Sequence, residues 1–328
     1  MRIAVALAAL FAALVAAAPA RAQTCFIFVH GRQSDTGTYT SYTTARNYWV
    51  NGGSDGVRTV TNNFADRFYV VGYNGSTGYW MSQAAGEVTT EILNATSGGA
   101  DGGGNRCTGA TSYQVVAHSM GDEVMDFILG NSRTTDANYQ ASYATVRSRI
   151  TRVISFAGAH RGSQLADAAC WSHDSFWCNA TGTFFSCDDA VNWLQTDSSH
   201  EVRTYANNPG LPVYLFGGWS GGIESGCLYG EDDRVVQYAS AFACGAVSSI
   251  ADVNTGNVCL ESAKTESGGW FLNGDQSYEN HYDMVNGYAP AERRAIGDGI
   301  WTCGSSSCGT GVTVSSSLST VALVRDIF

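Results

Sequence analysis

Five short runs of apolar, β-branched and aromatic residues recur along the chain and constrain its fold more than any other feature. They read FIFV, RFYVVGY, YQVVA, RVISF and PVYLFG, at 26–29, 67–73, 113–117, 152–156 and 212–217. Their apolar residues are consecutive rather than alternating, which is typical of strands buried on both faces of a sheet. Between them, the stretches Ala84 to Thr96 and Met120 to Leu129 carry apolar residues on one helical face. This alternation predicts an α/β fold with a mostly parallel central sheet flanked by helices.

Composition and spacing predict one large domain over residues 23–328. The chain has 328 residues, of which 44% are hydrophobic and only 14% charged, so it cannot be intrinsically disordered. No long Pro/Ser/Thr linker divides it. The segment 163–210 is too long for a plain connection and is rich in aromatic residues and cysteine. We expect it to form a cap over the functional site, or else a satellite core under a loop. Residues 309–328 read as a β-hairpin or a flexible tail.

The N-terminus has the pattern of a secretory signal peptide over residues 1–22. Met1-Arg2 is followed by an apolar run from Ile3 to Ala18, and Ala20-Arg21-Ala22 matches a small-x-small cleavage site. A membrane anchor is the alternative, but the run falls short of the ~20 residues that span a bilayer. We therefore expect an exported protein without stable membrane insertion. Release into the medium and retention in a periplasm both fit this pattern.

Ten cysteines follow the predicted cleavage site, and in an exported chain they indicate disulfides. Cys303 and Cys308 are near enough in sequence to close a small loop, and we expect that pair to be bonded. None of the cysteines has the spacing of a zinc site, so we expect no metal. Asp188 and Asp189, with Asp232, could suggest a structural calcium, but no contiguous calcium-binding loop supports it.

The acidic balance of the chain bears on its partners. The formal net charge is −11 at pH 7, and such a surface repels phosphate backbones. Nucleic-acid binding is therefore excluded as a function class. We expect a monomer that acts on a substrate with an apolar group.

The motif Ala117-His118-Ser119-Met120-Gly121 carries the main chemical signal. A strand enters this small-x-Ser-x-Gly turn and an amphipathic helix leaves it, which is the context of a nucleophile elbow. The sharp turn demands small neighbours, and Ala117 stands where the usual pattern has Gly. The alternative is an ordinary strand-to-helix turn with a capping serine. We predict that Ser119 is a catalytic nucleophile.

A nucleophilic serine needs a base and an orienting acid, which follow it in the order acid, then His. Of the six histidines, only His281 follows the late acidic cluster, in a polar loop written ENHYDM. The acid is expected in the stretch GEDDRVV, where Asp233 is favoured because Val235 and Val236 resume apolar packing, and Asp232 is the runner-up. His30 and His160, at strand ends, are expected to shape loops, and the side chain of His118 to point away from the acyl group.

Oxyanion donors are expected from two backbone positions. The helix that follows Ser119 would present the N–H of Met120. The loop after Val29-His30-Gly31 would supply a second N–H, from Arg32 or Gln33. The backbone makes both hydrogen bonds, so the identity of these side chains matters little.

The segments FVHGR, AHSMG, FAGAHRGS, EDDRVV and NHYDM, taken in order, resemble secreted bacterial lipases and esterases of the α/β-hydrolase superfamily. The resemblance runs from about Cys25 to Met284 and implies an α/β-hydrolase fold. It places the nucleophile on Ser119, the acid on Asp233 and the base on His281, with oxyanion donors at Arg32 and Met120. The AHSMG segment and the Cys-bearing tail WTCGSSSC are also similar to those of extracellular poly(3-hydroxybutyrate) depolymerases.

The function expected is therefore hydrolysis of carboxylic esters through an acyl-enzyme on Ser119, with no cofactor. A polyester depolymerase is the alternative substrate class. An acyltransferase would use the same triad while excluding water, and a non-catalytic binding protein would normally have lost one of its members. A peptidase is disfavoured, because the chain offers no evident pocket for a charged side chain.

Overall fold

The computed structural model describes residues 23–32, 39–51, 54–78, 83–160, 162–170, 187–196, 211, 213–217, 235–236, 238–241 and 301–303. The strands are β1 (Thr24–Val29), β2 (Val50–Asn51), β3 (Ser54–Asp55), β4 (Arg67–Val71), β5 (Ser112–His118), β6 (Arg152–Phe156), β7 (Val213–Gly217) and β8 (Trp301–Cys303). The helices are α1 (Tyr42–Tyr48), α2 (Gly56–Val60), α3 (Ala84–Thr96), α4 (Met120–Gly130), α5 (Ala141–Arg149), α6 (Gln164–Cys170), α7 (Asp189–Trp193) and α8 (Tyr238–Ala241).

A six-stranded sheet in the order β4-β1-β5-β6-β7-β8 forms the centre of the molecule. Its first five strands are parallel, and β8 runs antiparallel to β7 at the edge. The predicted α/β class and parallel sheet are confirmed, with each predicted strand found within two residues of its expected bounds. Strand β4 stops at Val71 rather than Tyr73. At Gly72 the backbone passes so close to a neighbouring loop that an added Cβ would lie 2.6 Å from the carbonyl oxygen of Thr40.

Both faces of the sheet are buried along β1, which explains its unbroken apolar run. Along β1 the side chains of Cys25, Ile27 and Val29 join one core, and those of Phe26 and Phe28 join the other. The first core packs under α3, α4 and α5, and the second under α1 and α2. Successive side chains of β1 therefore point to opposite faces of the sheet, as in any strand. They do not alternate between apolar and polar, because both faces are buried here.

Two disulfides join described residues. Cys25–Cys107 connects β1 to the loop ahead of β5, with a Cα–Cα distance of 5.5 Å and a sequence separation of 82. Cys170–Cys187 connects the end of α6 to the segment before α7, with a separation of 17. Both are pairings that spacing alone left open. The predicted Cys303–Cys308 pair involves Cys308, which lies outside the described residues.

The remaining domain expectations concern residues that the structure mostly does not describe. Residues 1–22 and 309–328 lie outside the described part, and the expected cap at 163–210 is described only over 163–170 and 187–196, with Leu211 just beyond it. Within the described ranges, every helix is too short or too polar to cross a bilayer.

Removal of either disulfide should lower the free energy of unfolding by an amount that depends on the length of the loop it closes. The chain-entropy model assigns a stabilisation of about 4–5 kcal/mol to the long loop closed by Cys25–Cys107. It assigns about 3 kcal/mol to the shorter loop closed by Cys170–Cys187. We therefore expect the double variant Cys25→Ala/Cys107→Ala to lose more free energy of unfolding than Cys170→Ala/Cys187→Ala. Urea unfolding followed by tryptophan fluorescence measures both, and an equal or reversed order would contradict the prediction.

Candidate active site

Ser119 has a backbone conformation that serine rarely adopts. It follows β5 directly and precedes α4, with φ 56° and ψ −126°. A non-glycine residue with positive φ carries a steric cost and persists only where its surroundings enforce it. The serine is 6% exposed, so its backbone is enclosed while the residue still reaches the surface. This is the turn geometry predicted for the AHSMG motif.

Hydrogen bonds hold both backbone groups of Ser119. Its N–H donates to the carbonyl of Phe156 at 3.1 Å, and its own carbonyl accepts from the N–H groups of Asp122 and Ala159 at 3.1 and 3.2 Å. Ala157, which lies between the two partners on the β6 side, also has a positive φ of 47°. The loop that leaves β6 is therefore shaped to grip the turn that leaves β5.

Gly121 allows the first turn of α4 to lie against the end of β1. A Cβ at this position would stand 2.5 Å from the carbonyl oxygen of His30 and 2.8 Å from that of Val29. Both neighbours are backbone atoms and cannot swing aside. Ala117, the position where the motif departs from glycine, is fully buried in the core, where its methyl group is accommodated.

Gly31 brings the loop after β1 into contact with Ser119. An added Cβ would lie 2.6 Å from Ser119 Cβ, 2.5 Å from the hydroxyl oxygen of Tyr48 and 2.8 Å from the carbonyl oxygen of His118. Arg32 follows directly, whereas Gln33 lies outside the described residues. Met120, the first residue of α4, is fully buried. The first N–H groups of a helix have no intrahelical partner, so this end of α4 can receive an anion.

His30 lies in a cluster of aromatic rings beside this loop. Its imidazole stacks on Tyr73 at 4.1 Å between ring centroids, meets Tyr39 edge-on at 5.0 Å and lies tilted to Tyr48 at 5.6 Å. Its Nδ1–H donates to the carbonyl of Gly31 at 2.8 Å. Burial lowers the pKa of His30 to about 4, against the opposing effect of nearby backbone carbonyls. The ring is neutral near pH 7 and supports the loop, as expected.

The other described histidines are also buried. His118 forms a hydrogen bond through Nδ1 with the hydroxyl of Tyr48 on α1. His160 lies between Ser155 and Asp126, with Nε2 2.9 Å from Ser155 Oγ and Nδ1 2.8 Å from Asp126 Oδ2. That order of groups is the order of a Ser-His-Asp triad. However, Ser155 is inside β6 and has no exposed surface, so a substrate cannot reach it.

Three carboxylates lie on α4, a helix whose residues are all buried, and the sequence patterns did not single them out. Asp122, Glu123 and Asp126 are at most 1% exposed. Burial raises the pKa of Asp122 well above its usual range, and the charge of Asp126 raises it further. One feature of the sequence does indicate this arrangement. Asp122 and Asp126 are four residues apart, which places both on one face of the helix, beside the predicted nucleophile.

The short segment 187–196 reaches across the carboxyl ends of the sheet. Asp188 forms an ion pair with Arg32 at 2.7 Å, and Asp189 accepts from the N–H of Gly78 at 2.7 Å. The carboxylates considered for calcium are thus engaged by protein groups, and Asp232, the other member of that set, lies outside the described residues.

The two other predicted members of the triad are not described. Asp233, its runner-up Asp232, and His281 lie outside the described residues. Val235 and Val236, just after the acidic stretch, are described: the hydroxyl of Ser163 donates to the carbonyl of Val235, and Val236 is 1% exposed in the core. The apolar packing expected there is confirmed.

No protein-family model matches the chain, and no curated protein sequence matches it. Among solved structures, the mature lipase BlEst2 from Bacillus licheniformis is similar at 21% identity over 68% of this chain and 80% of that one, with a TM-score of 0.45. The phospholipase PlaB from Legionella pneumophila is similar at 16% identity over 66% of this chain and 45% of that one, with a TM-score of 0.38. A metagenomic carboxyl esterase is similar at 15% identity over 57% and 46%, with a TM-score of 0.32. These identities are too low to assign an activity to this chain.

Gly31→Ala should lower stability more than Gly75→Ala, although both residues border the same loop. The first Cβ would meet three groups at 2.5–2.8 Å, whereas the second would meet its nearest atom, the carbonyl oxygen of Gly31, at 3.4 Å. Overpacking of this kind costs about 1–3 kcal/mol. Urea unfolding of both variants checks the difference, and equal losses would show that the loop yields freely.

His30→Phe should lower the free energy of unfolding less at acidic pH than at neutral pH. The folded pKa of His30, about 4, is below the unfolded value near 6.5, so the unfolded chain binds more protons in this interval. The contribution of His30 to the stability of the wild type therefore declines as the pH falls from about 6.5 towards 4, whereas the variant lacks this contribution. The difference in free energy of unfolding between the wild type and the variant should shrink by about 1.4 kcal/mol per pH unit below about pH 6. Urea unfolding at pH 7, 6 and 5 measures it, and a constant gap would refute the assignment.

Proposed function

We propose that this chain is a secreted serine hydrolase of carboxylic esters with an α/β-hydrolase fold. The observation that carries the proposal is the backbone of Ser119, with φ 56° between a parallel strand and a helix and with Gly31 packed against its Cβ. A fold maintains a strained serine at the end of a central strand when the strain presents its hydroxyl to a substrate.

The proposed reaction begins with attack of Ser119 Oγ on the ester carbonyl. His281 accepts the serine proton and then donates it to the leaving alcohol, which leaves an acyl group on Ser119. Water attacks this acyl group, His281 takes a proton from the water, and the acid is released as the proton returns to Ser119. Asp233 orients the imidazole and stabilises its protonated form.

The charge that develops on the substrate oxygen would be met by the backbone N–H groups of Met120 and Arg32. Met120 opens α4, whose N-terminal end favours a negative charge. Arg32 follows Gly31, whose close approach to Ser119 puts this loop beside the reacting atoms. Donors held in this way need not reorganise as the charge appears.

The choice of Asp233 is supported by its described neighbours. The loop after β6 contacts Ser119 through Ala159 and then turns back, with the N–H of Gly162 donating to the carbonyl of Ala159 at 2.7 Å. Ser163 in this loop binds the carbonyl of Val235, and Ser240 donates to the carbonyl of Gly162 at 2.6 Å. The chain on the carboxyl side of Asp233 is therefore anchored to the loop that grips the nucleophile.

The proposed substrate is an uncharged ester with an apolar acyl group, hydrolysed by a monomer outside the cytoplasm. The apolar aromatic composition of 163–210 supports this substrate class, and the predicted signal peptide with the disulfide Cys25–Cys107 supports export.

Hydrolysis of p-nitrophenyl esters from C2 to C16 tests the proposal. Ser119→Ala should lower kcat/KM by about 10⁴-fold or more, because the nucleophile is lost while the oxyanion donors remain. Ser132→Ala is the matched control, since this serine is also buried and lies just beyond the other end of α4. It should retain wild-type rates.

The same assay distinguishes the two candidate acids. Asp233→Asn should lower kcat by about 10⁴-fold, and Asp232→Asn should not. Equal rates for Ser119→Ala and the wild type would overturn the proposed function. Activity on polyester granules but not on the soluble esters would place the substrate among polymers.

A further inference from the structure

Asp188 has two roles at once. Its Oδ1 accepts from the N–H of Val191 at 2.9 Å and caps α7, while its Oδ2 pairs with the guanidinium of Arg32 at 2.7 Å. The Arg32 side chain is only 8% exposed and that of Asp188 is 29% exposed. A guanidinium so far from water requires a partner, because an uncompensated buried charge is costly.

We name residues 187–196 the clamp segment, because it is fastened to several loops at the carboxyl ends of the strands. Cys187 is bonded to Cys170 at the end of α6. Asp189 accepts from the N–H of Gly78, which lies in the loop after β4. The carbonyl of Leu194 accepts from the N–H of Ser163 at 2.7 Å, and the N–H of Thr196 donates to Asp167 at 2.8 Å. The clamp segment is thus held in place by a disulfide and by hydrogen bonds to several loops.

From this arrangement we infer that Asp188 is a positioning residue for Gly31 and Arg32 in the loop after β1, which we name the oxyanion loop. By holding the side chain of Arg32 against the clamp segment, it holds the backbone N–H of Arg32 beside Ser119. The inference rests on the proposed function, because it assigns a role to the loop that is proposed to stabilise the oxyanion. The side chain of Arg32 thereby has a role, whereas the sequence alone predicts that its identity matters little.

The Arg32–Asp188 ion pair restrains the position of the loop that contains Gly31 and Arg32. On one side, Gly31 already packs against Ser119 and cannot approach further. On the other side, Asp188 holds the Arg32 side chain at 2.7 Å, and the hydrogen bond from His30 holds the carbonyl of Gly31 at 2.8 Å. A displacement of about 1 Å at a reacting centre can cost about 100-fold in rate, so a modest loosening has a large effect.

Asp188→Asn tests the inference because asparagine caps helices as well as aspartate does. The cap of α7 is kept and only the charge opposite Arg32 is removed. The chain offers a matched control in Asp55, which caps α2 by accepting from the N–H of Arg58 and forms an ion pair with Arg46. Those side chains are similarly enclosed, at 21% and 13% exposure, but belong to elements on the other face of the sheet from α4.

We expect Asp188→Asn to lower kcat on a p-nitrophenyl ester by about 10–100-fold with KM changed less than about twofold. Loss of an interaction made only in the transition state lowers kcat and kcat/KM together. Asp55→Asn should shift the urea midpoint comparably and leave kcat within about twofold. Asp188→Glu, which restores the charge, should recover part of the rate. Amide exchange by mass spectrometry should be faster in the peptide containing Arg32 for Asp188→Asn alone.

Wild-type kcat in Asp188→Asn, or a loss equal to that of Asp55→Asn, would overturn the inference. Failure of the proposed function gives a different result, namely hydrolysis that persists in Ser119→Ala. In that case the exchange measurement still decides whether Asp188 holds the loop, since it requires no activity.

Discussion

The left-handed backbone of Ser119 is the constraint on which the rest of the site depends. Its N–H and carbonyl are both bound by the chain that leaves β6, at Phe156 and Ala159. That chain needs its own support, and it receives it from His160, which reaches Asp126 on α4. Because α4 begins at the residue after Ser119, these contacts form a closed ring. The strain at one residue is therefore shared by a strand, a loop and a helix.

Close backbone approach is the second organising feature. Gly31 and Gly121 stand on opposite sides of the contact between the end of β1 and the turn after β5, and neither position has room for a methyl group. Parallel strands place their carboxyl ends at one edge of the sheet, so these two turns meet there. Behind them, the rings of Tyr73 and Tyr48 enclose His30 and fill the space beside the loop. The described turns around Ser119 are thus closely packed at this edge of the sheet.

Sequence patterns predicted the central strands and the strained turn at Ser119 because these depend on local rules. Strands buried on both faces contain consecutive apolar residues, and the turn requires small residues around Ser119. The short elements α1 and α2 could not be predicted in this way. Helix α2, written GVRTV, contains glycine and β-branched residues that disfavour helices, and it forms because Asp55 caps it and Val57 and Val60 are buried. Strand β8 has only three residues, and its partner is distant in sequence.

Pairings across long sequence separations were also beyond local rules. Nothing near Arg32 indicates that its partner is 156 residues away, and the partner of Cys25 could have been any other cysteine. The acids of α4 have the opposite problem, since a helix with three carboxylates in its first two turns suggests a solvated face. They are buried because α4 packs against the sheet and beneath its neighbours. Asp233 and His281 stay predictions of sequence order.

Two buried groups near Ser119 exchange protons with the solvent when the chain folds, and their effects on stability oppose each other. Asp122 takes up a proton when the chain folds, because its pKa is higher in the folded state, so its contribution to stability declines as the pH rises above its ordinary value of 3.8. His30 releases a proton when the chain folds below about pH 6.5, so its contribution increases with pH over the interval from about 4 to 6.5. Across mildly acidic conditions the two slopes partly cancel. Over that interval the protonation of Asp122 and the deprotonation of His30 act on the free energy of unfolding in opposite directions.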